Sequence, residues 1–290
     1  MAGVEDRVQI IWARKLVPVF TRLSTNIARE ICLFLPSQLT LACIDKDNVC
    51  FFDFQTLQLM SPVSLTRSIC TFNASWATVD ADRVIVCEGG DNGNTHSEKV
   101  LHTALLLHRS GRVEDLTDMK FPHNNSGVIA WRGRIHVFGS YCGPGGEKCE
   151  RLPLFPVGSA WEQLPDMQFR RALFTPVVWN SAVYLCGGYE NSSIEAFNGE
   201  TMQLLSISLP QRDASPSLAC LKNTTLLVFT SNFLVKISMQ GTDFTLTTNT
   251  LEIPNCCTVY TNPVYWKNVV FNCELGNVVN KYSASDGRVI

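Results

Sequence analysis

A chain of 290 residues, 46% hydrophobic and 17% charged, has ample apolar surface for a packed core and too little charge for a disordered chain. Its formal net charge of −2 leaves no basic excess for a phosphate backbone, which argues against nucleic acid as the main partner. No apolar run approaches the roughly 18 residues that cross a bilayer, and the N-terminus is too charged (Glu5, Asp6, Arg7) for a secretory leader, so the twelve cysteines are expected as reduced thiols in a cytoplasmic protein with no membrane partner.

In chain order, Val8–Trp12 reads as a strand, and Ile27–Leu35 stands where the first strand of a repeating unit belongs. The next apolar run, Leu39–Asp45, has counterparts at Val84–Gly90, Ile135–Ser140, Ala182–Gly188, Thr225–Thr230 and Asn268–Glu274. Their end points are 45, 50, 48, 42 and 44 residues apart. Residues 112–140 lie over residues 160–188 without a gap: Phe121 falls on Phe169, Trp131 on Trp179 and Gly139 on Gly187, each 48 residues on. Such a period marks a repeat architecture. Ser110-Gly111, Asn198-Gly199, Gln240-Gly241 and Asp286-Gly287 separate the runs as turn signals, and no sustained helical stripe interrupts them. Six units of about 48 residues would fill the chain as one domain, 1–290; seven of about 41 are the alternative division. The last unit holds only three strands before Ile290, so residues 1–15 are expected to supply its fourth and close a ring.

The same residues resemble the kelch repeat. Gly89-Gly90 and Gly187-Gly188 look like its double glycine, with Gly139-Ser140 a partial copy. Phe52-Asp53, Phe197-Asn198 and Tyr282-Ser283 look like its aromatic residue and turn-forming follower, and Trp161–Met167 like its closing stretch. The resemblance implies an all-β, six-bladed propeller of four-stranded antiparallel blades. Glycine at the strand ends allows close backbone approach, and Trp161 is expected to bury its ring between blades.

Catalytic and metal-binding patterns are sparse. There is no C-x-x-C, no H-E-x-x-H and no paired Cys/His spacing of the zinc kind. Cys43, Cys87, Cys186 and Cys273 alternate with Phe138 and Phe229 at one strand position, which reads as core packing. His96, His102 and His108 stand six apart with no patterned partner, and Gly143–Gly146 lacks the Lys-Ser/Thr of a phosphate loop and reads as a turn. No cofactor is expected. Some kelch-like propellers are copper oxidases using Tyr and His ligands with a Tyr–Cys crosslink. Tyr260 and Tyr265 near Cys256 and Cys257 supply two of those residue types, but no histidine follows His136.

In a propeller, the loops leading to the innermost strands surround one mouth of the central channel. The 48-residue register places Pro122-His123, Arg170-Arg171, Arg212-Asp213 and Cys256-Cys257 there, with Arg67 near the equivalent place. Kelch-like adaptors bind acidic peptides through such arginines, whose planar fork bonds a carboxylate bidentately. The expectation is a monomeric, non-catalytic interaction module contacting a protein or peptide through Arg67, His123, Arg170, Arg171 and Arg212; the alternative is a carbohydrate-active or sugar-binding propeller of the epimerase or oxidase class.

Overall fold

The computed structural model describes residues 40–44, 47–53, 58–59, 61–70, 74–80, 82–87, 89, 101–141, 143–154, 159–210, 218–222, 225–229, 233–240, 243–250, 264–266, 269–273 and 279–283. The closing strand expected within residues 1–15, Gly90 and Arg212 lie outside them. The chain divides into two compact units, Met1–Ala172 and Leu173–Ile290.

The first unit holds three antiparallel sheets. The first contains β1 (Thr40–Ile44), β2 (Asn48–Asp53), β3 (Gln58–Leu59) and β4 (Val63–Ser64), with β3 and β4 both paired to β2. The second runs β5 (Ser75–Thr78), β6 (Arg83–Cys87), β7 (Ala104–His108) and β8 (Val113–Asp115). The third runs β9 (Gly127–Trp131), β10 (Arg134–Phe138), β11 (Cys149–Pro153) and β12 (Glu162–Gln163).

The second unit continues the pattern. Its first sheet is β13 (Val177–Trp179), β14 (Ala182–Cys186), β15 (Ser193–Phe197) and β16 (Met202–Ser208). Next come β17 (Leu218–Lys222), β18 (Thr225–Phe229), β19 (Phe233–Gln240) and β20 (Asp243–Thr250), then a sheet of β21 (Val264–Trp266), β22 (Val269–Cys273) and β23 (Val279–Ser283). The one helical turn among the described residues is a 3₁₀ turn, Gly143–Gly145, in the stretch that reads as a turn in the sequence.

Local chemistry explains the hairpins. Arg132 and Gly133 both take positive φ between β9 and β10, as do Asn180 and Ser181 between β13 and β14. Two consecutive left-handed residues make the tight turn whose twist matches the strands it joins. The two turns are 48 residues apart, so the repeat extends to backbone conformation.

Sheets that follow one another pack face to face within each unit. Val84 and Val86 of β6 meet Val63, Leu65 and Ile69 beside the first sheet, while Ile85 and Cys87, on the opposite face, meet Val128, Ile135 and Val137 of the third. A central strand covered on both sides needs a continuous apolar run, which is why β6, β10 and β14 are buried from their second residue onward. In the second unit, Trp179, Tyr184 and Cys186 pack on Leu226, Val228, Val235 and Ile237 in the same way. The first strands of consecutive sheets adjoin, β5 with β9, β13 with β17 and β17 with β21.

Trp161 is buried among Met119, Val128, Leu152 and their neighbours, and its Nε1–H donates to Thr117 O at 2.7 Å. Trp161→Phe keeps most of the apolar contact but leaves that carbonyl without its donor, an expected loss of about 1–3 kcal/mol. Urea denaturation of the two proteins checks it.

His136 of β10 lies between the rings of Trp131 and Phe138, at centroid distances of 5.5 and 6.2 Å. Burial, reinforced by Arg151 and Arg134, pulls its pKa from 6.5 down to about 3. The unfolded chain therefore binds a proton near pH 6.5 that the folded chain refuses. Stability from the neutral ring is full above pH 6.5 and falls towards pH 3, by up to about 1.4 kcal/mol per pH unit. Thermal melts across that window should decline steeply for the natural protein and more gently for His136→Phe.

Candidate functional site

Three loops gather at one end of the third sheet: residues 116–126 before β9, 139–148 between β10 and β11, and the start of the segment after β12. A buried carboxylate organises them. Glu150, on β11 and fully shielded from solvent, accepts the Lys120 N–H through Oε2 and the Phe121 N–H through Oε1, both at 2.8 Å. His123 Nε2 lies 3.1 Å from Oε1, and His123 Nδ1 lies 2.7 Å from Gly139 O. Both imidazole nitrogens thus face acceptors.

The second and third loops are stitched by backbone bonds. Gly139 N–H donates to Lys148 O at 2.9 Å, Met167 N–H to Glu147 O at 2.9 Å, and Arg171 N–H to Gly146 O at 3.0 Å. Gly139 has φ +73°, and a Cβ there would stand 2.2 Å from Arg171 O. Gly187 repeats this arrangement after β14, with φ +64° and an N–H donating to Ser193 O. Gly188 also has positive φ, and Gly89 accepts the Leu101 N–H. Gly139 and Gly187 directly follow the second strands β10 and β14, and Gly89 lies two residues beyond β6.

The residues expected to bind a partner fall into a buried and an exposed group. His123 is completely buried and Arg171 is 1% exposed, which corrects the expectation that both present their side chains at an open mouth. For His123 the reason is the pair of acceptors that occupy its ring nitrogens. For Arg171, the segment that carries it is drawn against Gly139 and Gly146. Arg67 is exposed and ion-paired with Asp115 of β8. Arg170 is exposed: its side chain crosses Gly146, and its Nη2 donates to Gly143 O at 2.8 Å.

Arg170 thereby ties the loop carrying Tyr141 to the loop carrying Phe169. Among the described residues those two are the large hydrophobic side chains left exposed, at 42% and 46%. The repeat pattern does not reveal Phe169 as a surface residue. Its counterpart Phe121 is half-buried, with the Lys148 ammonium 5.7 Å from its ring. Tyr141 carries no sequence signal at all beyond its place after a strand.

No protein-family model and no curated protein matches the chain. Solved structures do, among them a novel fungal alcohol oxidase with catalytic diversity among the AA5 family, in complex with copper. The two superpose with a TM-score of 0.58 at 11% identity, covering 85% of this chain and 58% of the oxidase. At that identity the likeness is one of fold, and the chain spans little more than half of that protein's length.

The described donors do not fit a copper centre. No group of three or more His, Cys, Asp or Glu side chains converges among them. His102 is bonded to Met119 O, His108 to Glu114, His123 to Glu150 and Gly139, and His136 is enclosed by aromatic rings. Nor is any helix among the described residues long and apolar enough to cross a membrane.

Proposed function

We propose that the six sheets are the blades of a kelch-like β-propeller serving as a cytoplasmic, non-catalytic interaction module. In this reading the partner is a protein or peptide that docks on the loops of Tyr141, Phe169 and Arg170. The observation that carries it is the coincidence of two exposed aromatics with the arginine that joins their loops. Aromatic and arginine side chains are the residues on which binding energy most often concentrates, and an arginine favours an acidic contact. Face-to-face packing of consecutive sheets, with adjoining first strands, supports the propeller.

The test is capture from native lysate by the natural protein and by Tyr141→Ser/Phe169→Ser/Arg170→Ala, read by mass spectrometry once circular dichroism shows equal folding. A partner lost from the triple variant but retained by Arg67→Ala supports docking on these loops. Equal capture by all three proteins removes the site.

The likeness to the alcohol oxidase favours a second reading, an enzyme acting on alcohols or sugars. The two diverge in one assay. Peroxide release from primary alcohols or sugars by copper-treated protein, above a copper-only control, would establish the enzyme.

A further inference from the structure

The outer strands of the sheets are not alike. In the first unit they are two or three residues long, and two of them carry acidic residues: β8 is Val-Glu-Asp and β12 is Glu-Gln. Short, charged edges protect a sheet against pairing with another chain. In the second unit β16 has seven residues, but its register with β15 shifts between Ser193 and Glu195, and such irregularity also disfavours edge pairing.

β20 has none of these protections. It runs eight residues, pairs with β19 through eight consecutive positions without a shift, and carries no proline and no charged residue after Asp243. Among the described residues no strand pairs with its other side. Antiparallel bonding alternates along a ladder, so every second residue of β20 turns its N–H and C=O away from β19.

We propose that this edge pairs with the same edge of a second copy of the chain, joining two four-stranded sheets into one continuous sheet about a two-fold axis. The strand is self-complementary. A two-fold axis normal to the sheet at Leu246 sets Leu246 opposite Leu246 and Thr245 opposite Thr247 of the copy, with like faces together. Phe244 and Leu246 pack on the core cluster of their own unit, so the shared sheet would extend that apolar layer across the axis. On the other face, exposed Thr245 and Thr247 would form two threonine pairs, a favourable cross-strand combination. No charge lies between Phe244 and Thr250 to oppose its like.

The register dictates the experiment. Thr245→Lys/Thr247→Lys would set lysine opposite lysine twice, and Thr245→Glu/Thr247→Glu would do the same with glutamate. Both substitutions fall on exposed positions. Sedimentation velocity over a concentration series should show a dimer of the natural chain, with each double variant associating about tenfold more weakly or worse. Mixing the two variants should restore the dimer, since each lysine then faces a glutamate. A natural chain that stays monomeric throughout overturns the proposal, as do double variants that dimerise undiminished or a mixture that remains monomeric. Circular dichroism of each variant separates lost pairing from lost folding. The experiment is independent of the Tyr141–Phe169–Arg170 surface.

Discussion

Replacing Glu150 with alanine should destabilise the first unit by about 3–5 kcal/mol, the cost of leaving several buried donors without their acceptor. Three donors converge on that carboxylate: the N–H groups of Lys120 and Phe121, and His123 Nε2. Water cannot replace the lost acceptor without opening the loop, because both Glu150 and His123 are fully buried. Against a typical domain stability of about 5–15 kcal/mol, the change should appear as a large fall in the urea midpoint. Glu150→Gln should lose somewhat less, since one oxygen remains to accept while the amide group meets a donor. His123→Phe should also destabilise, and the double variant Glu150→Ala/His123→Phe should cost clearly less than the sum of the two singles. Additive losses, or a Glu150→Gln protein as stable as the natural one, would show that the carboxylate does not organise these loops.

Gly139→Ala is the second large effect, and Gly133→Ala supplies its control. Both glycines have positive φ, +73° and +69°. A left-handed conformation alone costs an alanine about 1–2 kcal/mol. At Gly133 a Cβ would meet nothing within 4 Å, so the backbone cost should be the whole effect. At Gly139 the Cβ would stand 2.2 Å from Arg171 O and 3.1 Å from Met167 Cε. The nearest obstacle is backbone, held by the Arg171 N–H bond to Gly146 O, so the loop after β12 must move. The expected loss is about 3 kcal/mol or more for Gly139→Ala against about 1–2 for Gly133→Ala. Equal midpoints for the two variants would mean that the close approach carries no energetic weight.

The 48-residue register reaches further into the structure than strand positions. Trp131 pairs with Arg134 across the β9–β10 hairpin, and Trp179 with Ala182 across β13–β14, each partner 48 residues from its counterpart. The second strands were visible because burial on both faces demands continuous apolar runs. Glu150 was not visible for an equally physical reason. It sits opposite Val137, and Glu195 sits opposite Leu185, so the two buried glutamates occupy one structural place. Yet they are 45 residues apart, because Glu195 follows its partner Leu185 by 10 residues where Glu150 follows Val137 by 13. A gap-free alignment steps past them.

Register alone does not disclose the site. His123 and Arg171 align with each other and were grouped with Arg170 as surface residues, because alignment reports equivalence and not exposure. The acceptors that meet His123 come from the loop after β10 (Gly139) and from β11 (Glu150), distant in sequence. Tyr141 and Phe169 stood out only once every other large described apolar side chain had found cover.

The buried cysteines have a kinetic consequence. Cys87, Cys149 and Cys186 belong to three different sheets, and each is shut away from solvent. Burial, with the Glu150 carboxylate nearby, drives the Cys87 thiol far above the range in which a reactive thiolate forms. An alkylating reagent can therefore reach these sulfurs only during the moments when a sheet opens. The rate at which each one is labelled becomes a clock for its own sheet, and three clocks read side by side would tell whether the sheets come apart one at a time or together.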